Sequence, residues 1–115
     1  MMKQYHLYVF TQDNCAPCTK LKDYVKTLSD AEQAELDFVP IKTPSGERTA
    51  LAEELSVDLT PTLVVTHEQV ECRLDADGFE DCDFEEESVE RFVGSKLIIE
   101  TLQATLDAYT YAHPD

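Results

Sequence analysis

Asp13-Asn14-Cys15-Ala16-Pro17-Cys18-Thr19-Lys20, following directly on the run YHLYVF at residues 5–10, decides how this chain is read. Two cysteines three residues apart, leaving a strand and opening a helix, form the redox version of this motif rather than the metal version. Placement matters more than spacing. A helix N-terminus carries about half a positive charge on its unpaired amides, so a thiolate there is stabilised and its pKa falls from about 8.5 towards neutrality. Cys15 is therefore the expected nucleophile. Pro17 suits a first turn because it has no amide hydrogen to lose and its φ is already helical, and the three-residue offset brings Cys18 within disulfide reach of Cys15. A structural zinc site needs two further ligands. Cys72 and Cys82 stand on a different segment with nine residues between them, and His6, His67 and His113 share no ligand spacing, so no metal and no cofactor is expected.

The flanking segments supply the strand and the helix. Residues 5–10 are aromatic and β-branched, which predicts a strand buried on both faces. Leu21, Tyr24, Val25 and Leu28 recur at helical spacing, with Lys20, Lys22, Asp23 and Lys26 on the other side. Residues 36–42 (LDFVPIK) predict a second strand, which Pro40 places at an edge or a bulge because it lacks a ladder donor. Thr43-Pro44-Ser45-Gly46 breaks the chain. Ser45 is the expected cap of a second helix through residues 47–55, with Leu51, Leu55 and the stem of Arg48 on one face. Two long segments around Ala76-Asp77-Gly78 predict a hairpin, an insertion at about residues 67–88. Gly94 and Ser95 introduce a last helix with an apolar stripe of Leu97, Ile98, Leu102, Leu106 and Tyr109. The order is β-α-β-α-β-β-α, an α/β fold with a central mixed sheet between helices and an extended C-terminal β-hairpin. At 115 residues one domain, 1–115, is expected.

Charge narrows the partners. With 24 acidic and 9 basic residues the formal charge is −15, which repels a polyanion, so no nucleic acid is expected. No apolar run reaches the roughly 20 residues of a membrane span, and the N-terminal segment runs into Thr-Gln-Asp rather than a small-residue cleavage site. A cytoplasmic protein is expected, with no membrane partner. Acidity concentrates in residues 75–87 (DADGFEDCDFEEE), read as a solvated, self-repelling surface, with a calcium loop or an acidic docking patch as the sharper readings. The calcium loop fails on register, because setting Gly78 at the obligatory glycine puts Arg73 at the first ligand position and Phe84 at the last.

The hairpin carries the other two cysteines. If Ala76-Asp77-Gly78 is a three-residue loop with Gly78 left-handed, Asp75 faces Phe79, Arg73 faces Asp81 and Cys72 faces Cys82. Alternation then makes Cys72 and Cys82 a non-hydrogen-bonded pair with Cα atoms about 4.5 Å apart, close enough for a disulfide. A reducing compartment argues the other way, for two free thiols.

The motif CAPC, followed after a helix, a strand and another helix by LAEELSVDLTPTLVV, resembles thioredoxin-fold proteins over nearly the whole chain. Val57, Thr60, Pro61, Thr62 and Leu63 match that family's cis-proline loop. The resemblance implies that Pro61 is cis and faces the disulfide, that the backbone of Thr60 pairs with an extended substrate, and that Gly94 keeps the substrate groove open. It departs from thioredoxins in several places. Asn14 stands where they carry Trp, and Ala16-Pro17 stands where they carry Gly-Pro. Val9 stands where they carry a buried Asp that helps deprotonate the second cysteine, leaving Lys42 and Asp13 as substitutes. The extra N-terminal strand and helix are not expected, which makes the core more like glutaredoxin. A glutathione site is not evident, since Gln12 and Val93-Gly94-Ser95-Lys96 occupy the places where glutaredoxins carry a basic residue and a Gly-Gly turn.

What the resemblance implies is a protein disulfide reductase, working as a monomer on exposed protein disulfides. Cys15 attacks and Cys18 resolves. Electrons would come from a thioredoxin reductase or glutathione, with ribonucleotide reductase among the acceptors. Compact, divergent proteins of this kind resemble those encoded by bacteriophages, for which the host cytoplasm is the compartment. Two other readings stay open: a glutaredoxin-like, glutathione-dependent oxidoreductase, and a thioredoxin-fold adaptor subunit that binds without turnover.

Overall fold

A computed structural model describes residues 5–110, apart from the side chains of residues 68–71 and 83–86; His113 lies outside the described residues. Eight elements follow in order: β1 (Tyr5–Thr11), α1 (Ala16–Val25), α2 (Asp30–Ala34), β2 (Leu36–Pro40), α3 (Ala50–Glu54), β3 (Thr62–Leu74), β4 (Glu80–Val93) and α4 (Ser95–Tyr109). The sheet runs β2-β1-β3-β4. β1 is parallel to β2 and antiparallel to β3, and β3 is antiparallel to β4. This is the α/β architecture expected of a thioredoxin-like fold, with β2 at an edge, one of the two positions Pro40 allows. Pro40 closes the β1/β2 ladder opposite Thr11, and the next amide, that of Ile41, takes over by donating to the Thr11 carbonyl at 2.8 Å.

Period-2 alternation along β1 feeds two cores. Leu7 and Val9 pack with Leu21 and Val25 of α1, Leu63 and Val65 of β3, and Ile98, Leu102 and Leu106 of α4. On the other face Phe10 and Val64 pack with Ile41, Ala52, Leu55 and Val57. The strand is thus buried on both sides, as its sequence predicts.

Three local expectations change. The helix after the cysteines stops at Val25, and a separate short helix, α2, follows it. Its signal is a capping box: Ser29 Oγ accepts from the Glu32 amide at 3.2 Å and Glu32 Oε1 accepts from the Ser29 amide at 3.1 Å. Gln103 donates to the other Glu32 oxygen at 3.1 Å, which ties α2 to α4. Ser45 is not a helix cap. Its hydroxyl meets that of Thr43 at 2.9 Å inside a tight turn, where the Thr43 amide donates to the Glu47 carbonyl at 2.7 Å and Gly46 takes a φ of +90°. The peptides before Ala50 are consumed by that turn, so α3 is little more than one turn long, with Thr49 at its N-cap. On α4, Leu97 stays 43% exposed, and the buried stripe is Ile98, Leu102, Thr105 and Leu106.

The hairpin register is the one the sequence predicts. The Asp75 amide donates to the Phe79 carbonyl at 3.0 Å, Gly78 is left-handed at φ +84°, and Cys72 lies opposite Cys82. The ladder slips between Val65 and Thr66, leaving Val89 as the extra residue on β4.

Two stability predictions follow from this packing. Val9 is 1% exposed, and Val9→Asp buries a carboxyl without a partner at a cost of several kcal/mol, on the order of 3–5. Urea melts should show the midpoint falling sharply at pH 7 and recovering partly at pH 4, where the acid is neutral. Tyr109 has its pKa pushed above 10.0, first by burial and then by Glu90, which accepts its hydroxyl and repels the phenolate. The folded state therefore favours the neutral phenol, a contribution present below about pH 10 and lost as the pH rises through the raised pKa. In thermal melts, Tyr109→Phe should flatten the decline in stability between pH 9 and pH 11, about one unit either side of an ordinary tyrosine.

Candidate active site

The site is built where β1 ends and β3 begins. Antiparallel pairing sets Phe10 opposite Thr62, so the loop after β1, which holds the cysteines, lies beside the loop before β3, which holds Thr60 and Pro61. Asn14 turns the chain with a φ of +57°, a left-handed conformation that asparagine tolerates better than most residues. Cys15 is then the N-cap of α1, and its sulfur accepts the Cys18 amide at 3.1 Å. The Thr19 amide donates to the Cys15 carbonyl at 3.1 Å, closing the first turn, with Pro17 inside it where no donor is lost.

Cys15 and Cys18 form a disulfide with Cα atoms 5.2 Å apart. The two differ in access. Cys15 is partly exposed, whereas Cys18 is 2% exposed under the helix. Thr60 reaches the same sulfur, its hydroxyl donating to Cys15 Sγ at 3.6 Å. The Thr60-Pro61 peptide is cis. The Pro61 carbonyl accepts the Gly94 amide at 2.9 Å, so the three segments named from the sequence meet at one place. Gly94 has a φ of +96°, which excludes other residues on conformation, while a Cβ built there would meet only open space.

The sequence did not expose everything that shapes the site. Besides the backbone that the resemblance assigns to substrate, the Thr60 hydroxyl touches Cys15. Two arginines pin the loop that leads to it. Arg91 of β4 donates to the carbonyls of Leu55 and Ser56, the latter at 3.0 Å. Arg48 donates to those of Val57 and Ala52, the latter at 3.3 Å, and pairs with Asp58 at 3.0 Å. Guanidinium groups suit this role because one planar fork of N–H donors can reach two neighbouring carbonyls at once. The Thr62 hydroxyl braces the turn by donating to the Leu59 carbonyl at 2.7 Å. Beside the disulfide lies an open cleft of about 540 Å³ that Gln12, Asp13, Lys22 and Thr19 line together with the cysteines. Asp13 is thus beside the cysteines, while Lys42 lines the neighbouring cleft with Lys22. Leu59, 63% exposed, and Val93, 43% exposed, give the cis-proline side an apolar rim.

Comparison with known proteins agrees with this construction. The family model described as a thioredoxin-like domain matches residues 2–82, and the chain belongs to that family. Among solved structures, it is similar to thioredoxin of Malassezia sympodialis at 18% identity and a TM-score of 0.59, over 93% of this chain and 78% of that one. Thioredoxin of Fasciola hepatica matches at 21% identity and 0.57, over 94% and 83%. A thioredoxin of Nicotiana alata matches at 21% and 0.57, over 96% and 76%. Compared by sequence with curated proteins, the chain matches none. The fold and the C-x-x-C disulfide are those of thioredoxin-like proteins, consistent with thiol-disulfide exchange. Among the described residues no helix is long and apolar enough to cross a membrane.

The donors on Cys15 make a prediction. Two donors on one sulfur favour its anion, so reduced protein should be alkylated at Cys15 before Cys18 at mildly acid pH. Thr60→Val removes one long, charge-assisted bond and should raise the midpoint of the iodoacetamide rate–pH curve by about half a unit. An unmoved midpoint would leave the Thr60 hydroxyl without a part in activating Cys15.

Proposed function

We propose that this chain is a protein disulfide reductase in which Cys15 is the nucleophile and Cys18 the resolving thiol. The observation that supports it most is the asymmetry of the pair: one sulfur partly exposed at a helix N-terminus with two donors on it, the other buried behind it. In the reduced protein the Cys15 thiolate attacks a substrate disulfide and expels one substrate thiolate, forming a mixed disulfide. Cys18 then loses its proton and attacks Cys15, restoring the internal disulfide and releasing the second substrate thiolate. Val9 provides no acid or base for that proton, so it passes to water or to the departing substrate sulfur. Thr60 and cis-Pro61 offer backbone to an extended substrate segment, and Gly94 leaves space above it.

On the same reading the chain is one domain, 1–115, a monomer of the cytoplasm, or of the host cytoplasm if phage-encoded, without nucleic-acid or membrane partners. Its electrons come from a thioredoxin reductase or glutathione, and ribonucleotide reductase is among its clients.

Insulin-disulfide reduction tests the reading. With dithiothreitol as the source of electrons, wild-type protein should accelerate precipitation of the insulin B chain, and Cys15→Ser should abolish the acceleration. Cys18→Ser should instead accumulate mixed disulfides. Repeating the assay with a thioredoxin-reductase system and with glutathione distinguishes the donors. A biological activity that survives Cys15→Ser, Cys18→Ser together would favour an adaptor role instead.

A further inference from the structure

The chemistry above leaves one reactive group of the chain unused, the disulfide between Cys72 and Cys82. We propose that this hairpin disulfide is a substrate of the Cys15–Cys18 centre in a second copy of the chain, so that the protein's own redox couple opens and closes the hairpin tip. The proposal rests on the disulfide-reductase reading.

Access comes first. Cys72 and Cys82 are solvent-exposed, and a disulfide that solvent reaches is among the labile ones. Cys82 lies on β4, an edge strand of the sheet, so it can be offered to another chain as extended backbone with an outward ladder. Leu74 at 75% and Phe79 at 71% exposure stand beside the bond as apolar grips.

Geometry then requires two molecules. β3 starts at Thr62, next to the active site, and runs away from it. Cys72 lies ten residues along that strand, which at about 3.3 Å per residue puts the hairpin disulfide roughly 30 Å from the Thr62 end. The two disulfides of one chain are therefore at opposite ends of the sheet.

Charge supports their meeting between copies. The tip carries Asp75, Asp77, Glu80 and Asp81 around its disulfide against the single cation Arg73, whereas the cleft at Cys15 and Cys18 sets Lys22 beside Asp13 and α1 exposes Lys20 next to it, on a chain of net charge −15. An acidic tip is repelled by most of a second copy and least at its active-site helix, where Lys20 and Lys22 outweigh the nearby Asp13.

The exchange balances. The Cys15 thiolate of one copy bonds to Cys82 of the other, and the Cys72–Cys82 bond breaks, with Cys72 leaving as a thiolate that takes up a proton. Cys18 loses a proton and attacks Cys15; the Cys15–Cys82 bond breaks and Cys82 leaves as the second thiolate, to be protonated. Two electrons and two protons pass from the dithiol of one copy to the disulfide of the other. The consequence lies in the ribbon. Beyond His67 the described residues pair β3 with β4 alone, and an isolated two-stranded ribbon is marginal in water, so losing its cross-link loosens the acidic tip.

The test uses two full-length variants. Cys72→Ser, Cys82→Ser protein, reduced and freed of reductant, is the donor; oxidised Cys15→Ser, Cys18→Ser protein is the acceptor. After acid quenching and alkylation, peptide mapping should find Cys72 and Cys82 of the acceptor modified, one pair for each donor pair oxidised. The transfer should slow on the order of fivefold when salt is raised to screen the charges. Isotope-labelled oxidised wild-type protein, used as acceptor in parallel, guards against a folding defect in the variant. A donor that also carries Cys18→Ser should trap a disulfide-linked dimer joining its Cys15 to Cys82. A donor that reduces insulin but leaves the hairpin disulfide of both acceptors intact overturns the inference alone. One that reduces neither overturns the reductase reading and the inference with it.

Discussion

The register of β1 against β3 is the constraint on which the rest of the structure depends. With Phe10 opposite Thr62, the end of one strand and the start of the other lie side by side, and the two loops that make the site emerge there together. A slip of one residue would turn every side chain of β3 to the opposite face. Leu63 and Val65 would leave the α1/α4 core, and Val64 would leave the core that it shares with Phe10. Packing on both faces of the sheet therefore fixes the register, and the register fixes the distance between Cys15 and Thr60.

The site is assembled from segments that are short of internal support and held by side chains from elsewhere. α3 is a five-residue helix, too short to be stable alone, and Arg48 and Arg91 hold its Ala52 carbonyl and the carbonyls of Leu55, Ser56 and Val57 just beyond its end. Those two arginines hold the path from Leu55 to Asp58 that delivers Thr60 and cis-Pro61 to the cysteine sulfur. Gly94 closes the arrangement from the other side through its bond to the Pro61 carbonyl. On a chain so acidic, two of the three arginines are spent on this one loop.

The two disulfides sit in contrasting surroundings. Cys15 and Cys18 lie at a helix N-terminus against a packed core, with one sulfur covered. Cys72 and Cys82 cross a ribbon whose Cα atoms are 4.1 Å apart at that pair, in solvent and among carboxylates. Backbone amides and Lys22 stand beside the first pair together with Asp13, whereas carboxylates dominate around the second.

The sequence by itself determined the strand–C-x-x-C–helix unit, the buried central strand, the confinement of β2 to an edge or a bulge and the hairpin register, because each follows from patterns over a few adjacent residues: an apolar run, a proline without a donor, a glycine at a loop's third position. The TPT loop was legible through family resemblance, and its conformation is as that resemblance implied. The capping box Ser29 to Glu32 was legible too, but it directly follows a helical period that ends at Leu28. Other features were decided only by tertiary structure. Ser45 caps nothing because its turn consumed the local peptides, and the Thr49 side chain at the N-cap position bonds the Pro40 carbonyl rather than the helix; Leu97 stayed outside because α4 meets the sheet along Ile98, Leu102 and Leu106. The hydroxyl of Thr60 on Cys15, and the grip of Arg48 and Arg91 on the loop before it, join residues up to 45 positions apart in the chain. No local pattern encodes such contacts, since they exist only once the sheet register has brought the segments together.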